Sequence, residues 1–152
     1  MLRKASELFL ALLSLVLMPL SASALDFRSV AVPKAILYDA PSLVAKKIFL
    51  LSQYYPVEVV VNLTDWVKVR DAQGAISWVE AKQLSTKRTV LVNANSAELK
   101  QAPDASSSLL ATLKKNLVLE VVDTPLNGGW IKVKHRDGTS GFVLISSVWG
   151  AN

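Results

Sequence analysis

The chain carries the same plan twice, and this constrains its fold more than any other feature. Leu37-Tyr38-Asp39-Ala40-Pro41 lies over Leu99-Lys100-Gln101-Ala102-Pro103 at an offset of 62 residues. At that offset Val57-Glu58-Val59-Val60 falls on Leu119-Glu120-Val121-Val122. Trp66-Val67-Lys68-Val69-Arg70 then falls on Trp130-Ile131-Lys132-Val133-Lys134, at an offset of 64. Gly74 matches Gly138, and Trp78-Val79 matches Phe142-Val143. The change of offset means two extra residues in the loop from Asp123 to Gly129, which is rich in turn chemistry. Each unit has roughly 60 residues, a size only marginally stable alone.

Within a unit the pattern is β. Val57, Val59 and Val61 alternate with Glu58, Val60 and Asn62. Val67 and Val69 point one way, while Trp66, Lys68 and Arg70 point the other. A period of two marks a half-buried strand. Val59, Val67, Val69, Val121, Ile131 and Val133 are therefore expected in the cores. Asp71 to Gly74 and His135 to Gly138 are expected hairpin turns, with glycine supplying positive φ. Glu80 to Leu84 has room for one helical turn, and no long amphipathic helix follows residue 24. Short strands with turn signals between them predict an all-β chain of two tandem small barrels. The link Ser85-Thr86-Lys87-Arg88 is short and lacks Gly and Pro, so the barrels are expected to pack in a fixed relation.

The unit resembles the bacterial SH3-like (SH3b) domain. Leu37 to Ser42, Asp65 to Arg70, Gly74 and Ser77-Trp78-Val79 carry the resemblance in the first copy. Leu99 to Asp104, Gly129 to Lys134, Gly138 and Gly141-Phe142-Val143 carry it in the second. Lys87 to Val92 and Val148-Trp149-Gly150 are similar to exported family members with two such units. The family's Gly before Pro is Ala40 and Ala102 here, and its Arg is Tyr38 and Lys100. The resemblance implies an SH3-like fold and a binding module linked to cell-wall peptides, without chemistry of its own.

Residues 1–24 form an expected cleavable signal peptide: Arg3 and Lys4, an apolar run from Leu8 to Leu20, then Ala22-Ser23-Ala24. A run of 13 residues spans about 20 Å as helix, against roughly 30 Å of hydrocarbon core. No later segment is an unbroken apolar run of spanning length, so the mature chain is expected to have no membrane span. The domains expected are residues 25–86 and 87–152, and the location is the periplasm or cell surface. Removing residues 1–24 leaves 15 basic and 11 acidic residues, net +4. No block of five or more basic residues exists, and Lys46-Lys47, Lys87-Arg88 and Lys114-Lys115 are only pairs, so a solvated surface is expected and no nucleic-acid partner.

Chemistry is narrowly bounded. With no cysteine there is no disulfide, thiolate metal site or thiol nucleophile. The one histidine, His135, excludes a three-histidine zinc site and is expected in a solvated turn. Asp39, Asp65, Asp71, Asp104 and Asp137 fall at turns, where Asp has a backbone role. No cofactor, metal or catalytic residue is expected, and the chain is not read as an enzyme.

The candidate ligand residues are aromatic and cationic. Trp66 and Trp130 either form a platform beside Lys68, Arg70, Lys132 and Lys134 or close one end of each barrel. Tyr38 and Tyr54, placed on facing loops, with Trp66, Lys68 and Arg70, make the preferred first-unit site. Lys100, Trp130 and Lys132 are the weaker second-unit equivalents. The expected partner is cell-wall peptide or glycan; the alternative is an adaptor binding an extended segment of another envelope protein.

Overall fold

A computed structural model describes residues 24–123 and 128–152. The expected signal peptide, but for Ala24, lies outside the described residues, as do residues 124–127 in the long second-unit loop. No helix among the described residues is long and apolar enough to cross a membrane.

The first unit contains β1 (Phe27–Val30), β2 (Lys34–Tyr38), β3 (Lys47–Ser52), β4 (Pro56–Asn62), β5 (Trp66–Arg70), β6 (Ile76–Glu80) and β7 (Leu84–Ser85). The second contains β8 (Thr89–Val92), β9 (Ser96–Lys100), β10 (Leu109–Lys114), β11 (Val118–Val121), β12 (Trp130–Lys134), β13 (Ser140–Leu144) and β14 (Val148–Trp149). The first sheet runs β3-β2-β6-β5-β4-β1-β7 and the second β10-β9-β13-β12-β11-β8-β14. Equivalent strands take equivalent places, and the two sheets of seven strands are antiparallel, as the duplication predicts. One 3₁₀ turn, Ala81–Gln83, stands where a single helical turn was expected.

Each sheet rolls around its own core. Val30, Ala35, Leu37, Val57, Val67, Val69 and Val79 fill the first. Ile48 and Leu51 on β3 and Leu84 on β7 also pack on it, so both ends of the sheet reach the same core. Leu99, Leu119, Ile131, Val133 and Val143 are central to the second. Val67, Val69, Ile131 and Val133 are buried as expected, but Val59 and Val121 only flank the cores. A bulge explains Val59: it pairs with Val69, whereas Val61 pairs with Lys68, leaving Val60 extra. The alternation slips there, and Val60 and Val61 are exposed.

The turns follow their residues. Gly74 and Gly138 have φ of 88° and 93°. Asp71 Oδ1 accepts from the backbone N–H groups of Gln73 and Ala75, both at 2.9 Å. Asp137 Oδ1 accepts from Thr139 N–H at 2.8 Å.

The units are locked together. Phe27 meets Trp149 edge-on, with centroids 5.1 Å apart. The Arg88 guanidinium lies 5.5 Å from the Phe27 ring centroid and donates to the carbonyls of Gly150 and Asn152 at 2.7 and 2.9 Å. Thr89 Oγ1 donates to the carbonyl of Tyr54 at 2.7 Å.

Candidate functional site

The expected first-unit residues divide between two places. One is the outer face of β2, β6 and β5. Tyr38 pairs with Trp78, and Trp78 with Lys68, making one row across the strands. Trp66 packs edge-on against Tyr38 at 5.4 Å, and Lys68 Nζ lies 5.8 Å from the Trp78 ring centroid. Alternation on β5 puts Trp66 and Lys68 on this face and sends Val67 and Val69 to the core.

Tyr38 is not a loop residue. It ends β2 and is 4% exposed: alternation sends Leu37 to the core and Tyr38 to the outer face, where it packs edge-on against Trp66 beside its strand partner Trp78. Its ring supports Trp66 from within the face. Arg70 shares the face but is already engaged: its Nη1 donates to both carboxylate oxygens of Glu58, at 2.9 and 3.1 Å.

The second unit repeats the row with Lys100, Phe142 and Lys132. Lys132 Nζ lies 6.0 Å from the Phe142 ring centroid. Lys100 is buried, with its ammonium 3.3 Å from Glu98. Trp130 is buried where Trp66 is half-exposed, so it closes the barrel and offers less ring surface.

Tyr54 is in the second place. It occupies the turn between β3 and β4, and its ring faces Lys87 of the second unit, with Nζ 5.0 Å from the centroid. It lines a groove of about 580 Å³ between the units, together with Thr89, Asn116, Lys134, His135 and Arg136. Neither Tyr38 nor Trp66 lines it, so the expected pairing of Tyr38 with Tyr54 does not form. His135 is in the turn expected for it but is half-buried at this groove, with Nδ1 3.0 Å from Asp137. Residue types alone did not show the groove, since its walls come from both units.

Electrostatic shifts fall mainly on turns. The Thr139 N–H, then His135, hold the Asp137 carboxyl down at about 2. The Ser106 hydroxyl and N–H lower Asp104. Burial raises the Tyr55 phenol, which donates to Gln73 Oε1 at 3.3 Å and accepts from Ala72 N–H at 3.3 Å. Among the described residues no group of three or more His, Asp or Glu is placed to hold a metal ion.

The chain resembles NlpC2 from Trichomonas vaginalis at 15% identity and a TM-score of 0.39, over 85% of this chain and 49% of that one. It resembles an NlpC/P60 family protein from Bacillus cereus at 18% identity and a TM-score of 0.37, over 81% and 55%. The chain thus spans about half the length of these structures, and likeness at such scores carries no argument about its activity. No curated protein matches the chain. The family model for the bacterial SH3 domain matches residues 31–86 and again 93–150. Those two matches cover most of the chain and take in six of the seven strands of each rolled sheet, and on that ground the protein belongs to the bacterial SH3 domain family.

Proposed function

We propose that the protein is a non-enzymatic binding module of the cell envelope, exported to the periplasm or cell surface, that recognises cell-wall peptide or glycan. The outer face of the first unit carries this reading. Half-exposed Trp66 and Trp78 stand beside the Lys68 ammonium, with Tyr38 fixing Trp66 from beneath. Rigid rings give contact area at low entropic cost, and an ammonium beside them meets a carboxylate or a sugar hydroxyl. Membership of the bacterial SH3 family supports the same reading.

The test is sedimentation of the exported protein with purified peptidoglycan across a salt series. Binding that persists at high salt is expected from rings in contact with ligand. Binding lost at high salt would mean exposed charge alone, since salt screens it. Intact mass of the exported material should give a chain beginning at Leu25; retention of Met1 would defeat the reading of residues 1–24 as a cleaved signal peptide.

A second reading has its own observation. β3 ends the first sheet, and its Phe49 and Leu50 are more than half exposed. An open edge with apolar side chains suits an extended segment of another envelope protein added as a further strand. Leu50→Lys would abolish that association and leave wall binding intact.

A further inference from the structure

The groove between the units continues into a second hollow of about 430 Å³, and the two share Ser52, Gln53, Asn116 and Val118. They form one trough along the junction with chemically different ends. At one end stand Lys87, Lys134 and Arg136, against Glu120 as the single carboxylate among the described lining residues. Glu120 lies 3.3 Å from Lys87 Nζ, and its strand partner is Lys134, so the end keeps a positive excess. At the other end Phe49 and Leu51 supply apolar surface, and Asp71 is the only carboxylate among the described lining residues.

The turns on either side add a second sign. Tyr54 and Asn116 hold the same place in the repeat and both adopt left-handed backbone, with φ of 70° and 69°. Asparagine adopts that conformation readily and tyrosine only at a cost. The strained residue is the one that sets an aromatic ring in the trough.

We propose that this junction trough binds an extended zwitterionic peptide, its carboxylates toward Lys134 and Arg136, its apolar part on Phe49 and Leu51, and its ammonium toward Asp71. Opposite charges at the two ends select a peptide carrying both, and a neutral glycan uses neither. The source rests on the reading above: it is the stem peptide of the cell wall. The trough therefore takes peptide, separately from the Trp66 and Trp78 face. Neither unit alone builds the site, so the duplication itself creates it.

The probe is a free stem tetrapeptide, Ala-γ-D-Glu-diaminopimelate-D-Ala, titrated into the ¹⁵N-labelled exported protein. Saturable shifts are expected at Ser52, Gln53, Asn116 and residues 134–136. Lys134→Glu with Arg136→Glu, both exposed positions, should weaken the peptide by about tenfold or more and leave the spectrum folded. Tyr54→Asn should weaken it by about tenfold without lowering Tm, which a merely structural tyrosine would not do. Shifts confined to Trp66, Lys68 and Trp78 would overturn the trough while sustaining wall recognition. Absence of saturation at millimolar peptide would overturn it even if peptidoglycan sediments the protein. Equal affinity for an all-L peptide of the same charge would overturn the wall as its source. Displacement of the peptide by a chitin oligosaccharide would overturn the separation of peptide from glycan.

Discussion

Val67 and Lys68 are neighbours on β5 with opposite fates, since one faces the core and the other the Trp78 ring. Val67→Ala leaves a cavity in a packed core and should cost roughly 1 to 4 kcal/mol. Lys68→Ala removes one ammonium–ring contact and should cost under about 1 kcal/mol. Thermal denaturation of the two variants checks this, and equal losses would mean the strand faces are reversed. Asp137 offers a test by pH. Its folded pKa, about 2, is depressed below the 3.8 of an ordinary Asp. Its contribution to the His135–Thr139 turn is therefore fully present above the unfolded value and is lost as pH falls toward the folded one. Carboxyl-carbon NMR should place its midpoint near 2, and Thr139→Pro, which removes the N–H, should raise it.

Among the elements, β13 passes β9 closer than a side chain permits. A Cβ placed on Gly141 would stand 2.6 Å from the Lys100 carbonyl and 2.9 Å from Leu99 Cγ. Backbone does not yield as a flexible side chain does, so Gly141→Ala should destabilise by about 1 to 3 kcal/mol, read in a urea titration. A midpoint equal to the parent's would show that β9 can move away. The first unit holds a buried Ser77 at the equivalent place, so the two barrels differ in how closely these strands approach. The bulge at Val60 acts at the same scale. It interrupts a run of valines whose alternation alone would have carried Val61 to the core.

For the whole molecule, the junction unites two units of marginal size. It is a contact between unlike surfaces, so equivalent positions carry different residues where they meet. Phe27 on β1 corresponds to Thr89 on β8, and Trp149 on β14 corresponds to Ser85 on β7. Phe27 and Trp149 pack together, while Thr89 bonds the carbonyl of Tyr54. Arg88 draws the carboxy-terminal carbonyls onto the first unit, at some cost, since its Nε is buried without a hydrogen-bond partner among the described residues. Arg88→Ala removes two charge-assisted bonds and the stacking on Phe27. It should destabilise the junction by about 1 to 3 kcal/mol and broaden or split the calorimetric transition. A single transition at an unchanged temperature would mean the units do not depend on this contact.

The duplication, the two-residue period and the turn glycines determined the β class, the strands around Val57 and Trp66 with their second-unit counterparts, the hairpin turns, and Val67, Val69, Ile131 and Val133 of the cores, because these are local properties of the chain. They placed Trp66 and Lys68 on one face and Val67 and Val69 on the other correctly, since alternation along a single strand decides it. They misplaced Tyr38, whose burial follows from its packing against Trp66 and its pairing with Trp78 on neighbouring strands. They also joined Tyr54 to the wrong partners, because Lys87 and Asn116 reach it only when the second unit docks. Departures from the repeat at Phe27 and Trp149 were visible in the sequence, but only the packed structure turned them into an interface. Contacts between distant segments depend on how two closed barrels present their surfaces to each other, and no local pattern encodes that.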